Sequence, residues 1–172
     1  MGWRSILLFD FRRDKGVKML KKIALSLIVS SSLFASEKIF VVERESSSIA
    51  IIENDKFKNR MENFRNMNHG VVKFYKDEAY AISRDGYVIK FDPKKEIIEA
   101  EYKTSKSAIG FEISEYFVAV ANYDDKSVDV LTKDLKPLKK IVTNSRNVGI
   151  KLYKNYMIFS QMDSDIISVY KD

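Results

Sequence analysis

No cysteine occurs among the 172 residues. That absence excludes disulfides, thiolate metal sites, cysteine nucleophiles and lipoprotein attachment. Histidine is almost as scarce: His69 is the only one, and no Ser/His/Asp spacing of the hydrolytic kind surrounds it. A phosphate-cradling glycine loop is also missing. The main apolar stretch, residues 23–34, is 12 residues long and too short to cross a bilayer as a helix. After it comes no long segment of 3.6-residue period, so helices are not expected. Nor is there a broad excess of one charge. The formal charge is +6, but up to Ala35 there are seven Lys/Arg against two Asp/Glu, leaving 23 against 22 for the rest. Charges interspersed at near neutrality argue against a nucleic-acid partner.

The charge excess belongs to a targeting segment. Met19-Leu20-Lys21-Lys22 is a basic start, residues 23–34 are apolar, and Ser36-Glu37-Lys38 turns polar. With a small residue at Ala35, this order describes a secretory signal peptide over 19–35, cleaved after Ala35. Leu33 is larger than such a site prefers. Residues 1–18 have no place before a signal and read as a mis-assigned extension, with Met19 as the start. An uncleaved N-terminal anchor is the alternative. Cleavage would leave a periplasmic domain, residues 36–172, with no stable membrane span.

What the chain does have is a repeat. His69-Gly70-Val71, Ile109-Gly110-Phe111 and Val148-Gly149-Ile150 each open an apolar run, with glycines 40 and 39 residues apart. A second run follows each, breaks at a polar turn and resumes: 79–84 before 87–91, 117–122 before 127–131, and 156–161 before 166–170. An earlier copy without the glycine covers 39–44 and 48–53. Short alternating strands at a period of about 40 residues are the mark of β-propeller blades. Four strands per repeat are expected at 71–75, 79–83, 87–91 and 97–102, and again at 110–113, 116–121, 127–131 and 138–142. The last repeat gives 149–152, 156–160 and 166–170. Asp85-Gly86 is the strongest hairpin signal. Residues 55–67 are expected to be loop or a short helical turn. The fold class is therefore all-β, a propeller of four-stranded antiparallel blades with three to four blades present. Propellers close with at least four blades and usually more, so the chain is expected to be the N-terminal part of a longer propeller. Completion by a partner chain or by oligomerisation is the alternative.

Strand direction alternates, so the turn between strands two and three lies on the same face as the loop entering strand one. That face collects His69, Arg84, Asp85, Asn122, Tyr123, Asp124, Asp125, Arg146, Asn147, Met162 and Asp163. A neutral imidazole at His69 can ligate a metal or move a proton near neutral pH; equally, the residue can be without special role. Arg84 and Arg146 present forked donors suited to carboxylates, or pair with Asp85, Asp124 or Asp163. Residues 122–125 can hold a cation or simply turn. Met162 can touch an iron or pack at the rim.

Asn68-His69-Gly70, the run Ile82-Ser83-Arg84-Asp85-Gly86-Tyr87-Val88, the run Ala119-Val120-Ala121-Asn122-Tyr123-Asp124 and the run Ser145-Arg146-Asn147-Val148-Gly149-Ile150 together resemble the cytochrome d1 heme-domain propeller family. Within it they are closest to the NirF-type heme d1 biosynthesis members, over residues 37–172. The resemblance implies an eight-bladed propeller, of which about half is present. It implies that His69, with Arg84-Asp85-Gly86 fifteen residues on, is the axial ligand of a heme iron or an acid/base in tetrapyrrole maturation. It also implies that Arg84 and Arg146 bind the carboxylates of heme d1 or a d1-type precursor, with Asn122 and Asn147 beside them. The nitrite reductase of the family needs a Cys-x-x-Cys-His heme c site, which this sequence lacks. That departure points to a biosynthetic role, with a tetrapyrrole, other heme d1 maturation proteins and the nitrite reductase as partners. Whether a chemical step occurs there is left open. The rival reading is a non-catalytic periplasmic propeller that docks protein partners.

Overall fold

The structure is a computed structural model and describes residues 37–171. The extension 1–18 and the signal 19–35 lie outside the described residues. Fourteen strands form four antiparallel sheets. The first sheet holds β1 (Lys38–Glu43), β2 (Ser48–Glu53) and β3 (Lys56–Met61). The second holds β4 (Val71–Tyr75), β5 (Glu78–Ile82), β6 (Tyr87–Asp92) and β7 (Ile97–Lys103). The third holds β8 (Ala108–Ile113), β9 (Phe117–Asn122), β10 (Ser127–Thr132) and β11 (Pro137–Val142). The fourth holds β12 (Asn147–Tyr153), β13 (Tyr156–Gln161) and β14 (Ile166–Lys171). Each strand pairs with its sequence neighbour, the meander of a propeller blade.

Burial follows from alternation. The middle strands of the second and third sheets are covered on both faces, so apolar residues face both neighbours, with Lys90 and Asp129 buried among them. Ala79, Ala81, Ile89 and Phe91 pack with Ile49, Ile51, Phe64 and Met67 of the preceding segment, while Tyr80, Ile82 and Val88 meet Val118, Val120 and Leu131 of the next sheet. Ala119, Ala121 and Val128 meet Ile150, Met157 and Phe159. Phe91 touches Phe40, Phe64 and Phe74, edge-on to Phe64 at 5.3 Å between centroids, a geometry that adds to simple burial. Three clusters thus join sheet to sheet in order. None joins the fourth sheet back to the first among the described residues, so the sheets form an open arc, an incomplete propeller.

One element departs from expectation. Residues 55–67 are not simply loop, because β3 occupies Lys56–Met61 and completes the outer edge of the first sheet. Every residue of it but Met61 is exposed, so no alternation marks it. Its signal is the dipeptide before it: Asn54 and Asp55 both have positive φ, 51° and 61°, the backbone of a two-residue hairpin turn that these residue types tolerate.

Glu96 ties the first two sheets together. Its carboxylate accepts from Lys38 Nζ at 2.6 Å, Lys58 Nζ at 2.8 Å and Asn59 Nδ2 at 2.8 Å. The hydrogen bond from Lys38, followed by that from Lys58, holds its pKa down at about 2 against an ordinary 4.5. A carboxyl depressed in the folded state contributes stability above its unfolded pKa and loses it as pH falls towards the folded value. Glu96→Gln is therefore expected to lower stability at neutral pH and to flatten the acid loss between about pH 4.5 and 2. Thermal melts across that range check it; parallel curves for parent and variant contradict it.

Candidate functional site

The loop entering each sheet and the turn between its second and third strands meet on one edge of the arc. A repeated backbone hydrogen bond fixes the meeting: Arg84 N donates to Asn66 O at 2.7 Å, Tyr123 N to Ser107 O at 2.9 Å and Met162 N to Arg146 O at 2.8 Å. In the third and fourth sheets the donor and acceptor stand 16 residues apart, in the second 18. The two extra residues push the second loop outward, and His69 sits on that protrusion.

This loop, residues 62–70, is irregular and yet tightly held. Phe64 and Met67 are fully buried and anchor it in the core. Phe64 N donates to Ser47 O at 2.9 Å, Asn66 N to Asp85 Oδ1 at 3.2 Å and Gly70 N to Met67 O at 2.8 Å. Asn63, Arg65 and His69 all have positive φ, 69°, 63° and 61°. Three such residues in seven are a concentration of strain that the surrounding bonds must maintain. Any Cβ at Gly70 would press on the Met67 side chain. Ile109 and Val148, the residues that precede the glycine in later repeats, lie within β8 and β12 instead, whereas His69 is exposed on a turn.

His69, Gly70, Val71, Arg84 and Ile109 line one cleft with chiefly apolar walls. Arg84 is half-buried there. Its Nη1 donates to Ser107 Oγ at 2.9 Å, and among the described residues no carboxylate lies in ion-pair range of its guanidinium. The turn holding it depends on Gly86, whose φ of 83° and close approach to the Ser105 carbonyl leave no room for a side chain. An unneutralised fork beside an exposed imidazole can take an anionic group and place it next to a nitrogen lone pair.

The other expected residues are placed differently. Arg146 is already paired: Nε donates to Asp163 Oδ1 at 2.6 Å, the backbone N to Oδ2 at 2.9 Å and Nη1 to the Tyr123 hydroxyl at 2.8 Å. The Arg146 hydrogen bond pulls the Asp163 carboxyl below its ordinary value, and Asp163 raises the guanidinium in turn. Asn122 is fully buried. Its Nδ2 donates to Ser127 Oγ at 3.0 Å and Asp129 Oδ2 at 2.6 Å, and its Oδ1 accepts from Thr104 Oγ1 at 2.9 Å. Asn147 is also fully buried and donates to Thr143 Oγ1 at 2.9 Å, while its Oδ1 has no partner among the described residues. The two amides form a polar layer beneath the face; they do not line the cleft. Burial pushes the Asp129 carboxyl in that layer up, against the hydrogen bond from Asn122 and the charge of Lys140.

Ser107, which steadies Arg84, and Asn66, which pins the loop, carry no signal in sequence except their place just ahead of a glycine-led strand. Residues 123–126 turn between β9 and β10, and Met162 is exposed on the equivalent turn. Among the described residues, no three His, Asp or Glu side chains converge as a metal site would require. A lone histidine is poor for a bare ion but sufficient for a metal whose other ligands come from a macrocycle. The apolar walls of the cleft and an arginine without an acidic partner among the described residues suit such a group with carboxylate substituents. No described helix is long and apolar enough to cross a membrane.

Residues 34–162 match the family described as the cytochrome D1 heme domain. No curated protein sequence matches the chain at a significant level. Among solved structures, the fold is shared with the dihydro-heme d1 dehydrogenase NirN in complex with DHE, at 21% identity and TM-score 0.66, over 76% of this chain and 31% of that one. It is shared too with the computationally designed Ika4 protein, at 12% identity and TM-score 0.66, over 80% of this chain and 87% of that one. BamB from Moraxella catarrhalis superposes at 13% identity and TM-score 0.62, over 78% and 40% of the two chains. The chain thus spans about a third of NirN, and these likenesses are of fold.

Proposed function

The chain belongs to the cytochrome D1 heme domain family, and from that premise we propose that it is a periplasmic maturation protein for heme d1, binding that tetrapyrrole or a d1-type precursor at the edge where His69 and Arg84 meet. The observation that carries the reading is Arg84, held beside His69 over apolar walls with, among the described residues, no carboxylate in ion-pair range. The Arg84 fork takes a carboxylate of the macrocycle. The His69 imidazole would hold the iron through a ring nitrogen, or would act as proton donor or acceptor beside the macrocycle. The tetrapyrrole, when bound, supplies a redox-active iron. Arg146 would hold a second carboxylate only by giving up Asp163, and Asn122 and Asn147 hold the polar layer that supports the face. Hand-over would be to other maturation proteins or to the dissimilatory nitrite reductase.

The test is to titrate the 172-residue chain with heme d1 and follow the visible spectrum. A shifted Soret band that His69→Ala removes is the expected result. An unchanged band, or one indifferent to that substitution, contradicts the assignment.

A further inference from the structure

The loops entering the third and fourth sheets are tied down by a hydroxyl that the second sheet's loop lacks. Thr104 sets both its backbone N and its Oγ1 against the carbonyl oxygen of Gly86, the residue just before β6, at 2.9 and 3.1 Å. Thr143 does the same at the carbonyl of Lys126, just before β10, both at 2.8 Å. Phe64 holds the matching place in the second sheet's loop. Its N donates to Ser47 O, just before β2, but it has no hydroxyl to add. The loops differ again further on. Ser107 and Arg146 lead straight into β8 and β12, whereas residues 67–70 stand between Asn66 and β4. The segment that carries His69 is therefore the longer one, and it starts with one anchor fewer.

Arg65, next to Phe64, supplies the replacement. Its Nε donates to Glu101 Oε2 in β7 at 3.0 Å, and its Nη2 donates to Oε1 of the same carboxylate, a forked geometry that an ammonium cannot copy. The guanidinium carbon also lies 4.6 Å from the centroid of the Tyr87 ring, which Lys103 Nζ approaches at 4.5 Å. Arg65 has a φ of 63°, and unlike Asn63 and His69 it is not of a residue type enriched in the left-handed region. Such a conformation persists only where its surroundings over-determine it. The next residue is bonded twice to the turn that holds Arg84: Asn66 N donates to Asp85 Oδ1, and Asn66 O accepts from Arg84 N. One short segment thus joins Glu101 to both polar groups of the cleft. Arg84 is bonded to it directly, and His69 follows three residues on.

We propose that Arg65 is a positioning residue, whose pairing with Glu101 sets residues 65–66 and so fixes His69 and Arg84 relative to each other. Arg65 does not line their cleft; it opens on a separate one with Ser47, Glu62 and Ile98. The paired side chains are 43% and 40% exposed, so the pair adds little to the stability of the whole fold and acts locally. Its consequence for binding rests on the tetrapyrrole reading; its consequence for the loop does not.

The experiment compares the 172-residue chain with Arg65→Glu, with Glu101→Arg and with the double variant that exchanges the two charges. Amide hydrogen exchange, read by NMR without ligand, is expected to quicken about three- to tenfold at Asn66 and Arg84 in each single variant. Tyr123 and Met162, whose N–H groups make the bond equivalent to that of Arg84 in the later loops, are expected to keep the parent's rates. The double variant is expected to restore the rates of Asn66 and Arg84. Unchanged exchange at those two residues, or a quickening shared by Tyr123 and Met162, overturns the proposal. Titration with heme d1 is expected to show affinity about tenfold lower in each single variant, as for other groups that orient a metal-binding histidine, and recovered in the double variant. A parent that binds heme d1 beside single variants that bind it equally well contradicts the positioning role. A parent that leaves the heme d1 spectrum unchanged removes the tetrapyrrole reading, and the exchange rates then decide the tether by themselves.

Discussion

Gly110→Val is expected to destabilise the fold by about 3 kcal/mol or more, at the upper end of overpacking costs. Gly110 sits in β8, where the inner strands of neighbouring sheets converge, and a Cβ there would be driven into the carbonyl oxygen of Val148 in β12. That obstacle is backbone, so it cannot rotate aside. Relief requires the third and fourth sheets to separate, which opens the contacts of Ala119, Ala121, Ile150 and Phe159. Gly149 is the control. Its added Cβ would meet only the Ser160 hydroxyl, at 3.3 Å, so Gly149→Ala is expected to cost under about 1 kcal/mol. Urea denaturation followed by circular dichroism separates the two. Equal midpoints would show that the inner strands are not in contact as described.

A comparably large effect, on binding, is expected at Arg84. Charge-assisted hydrogen bonds contribute about 1.5–3 kcal/mol, so Arg84→Gln is expected to weaken heme d1 binding about 10- to 100-fold with little change in melting temperature. Arg146→Gln should behave otherwise. Its guanidinium is held by Asp163 and Tyr123, so the substitution strips Asp163 of its guanidinium partner, leaving it Lys126 and the backbone N–H of residue 146, and disturbs the turn, with the smaller loss of affinity. Spectrophotometric titration of both variants, beside thermal melts, reads the difference. Equal losses of affinity would mean that the Asp163 pair opens freely and that pairing does not distinguish the arginines.

The contrast between the arginines marks where sequence reading reaches its limit. Both follow a polar residue near a glycine-led strand, and nothing local tells them apart; the pairing of Arg146 depends on Asp163, brought in by a turn 17 residues later. Asn122 shares the face by position, yet its place at the end of β9 turns its amide inward to Asp129. β1, β2 and the strands from β4 onward were legible, since apolar alternation and Asp85-Gly86 mark them directly. β3 was not, because an exposed outer strand has no buried face to impose a pattern. The nearness of His69 to Arg84 was legible through strand direction. The two-residue protrusion that exposes His69, anchored by Phe64 and Met67, was not, because two apolar residues in a polar stretch show no period.

His69 is proposed to meet the iron of a bound d1-type tetrapyrrole. Because His69 is the only histidine in the chain, growth on 15N-histidine labels one imidazole and nothing else. Resonance Raman spectra of the heme d1 complex, with and without the label, therefore test the claim directly. A low-frequency iron–nitrogen band that moves with the isotope and is lost in His69→Ala is the predicted result. Superimposable spectra from labelled and unlabelled complexes would contradict it.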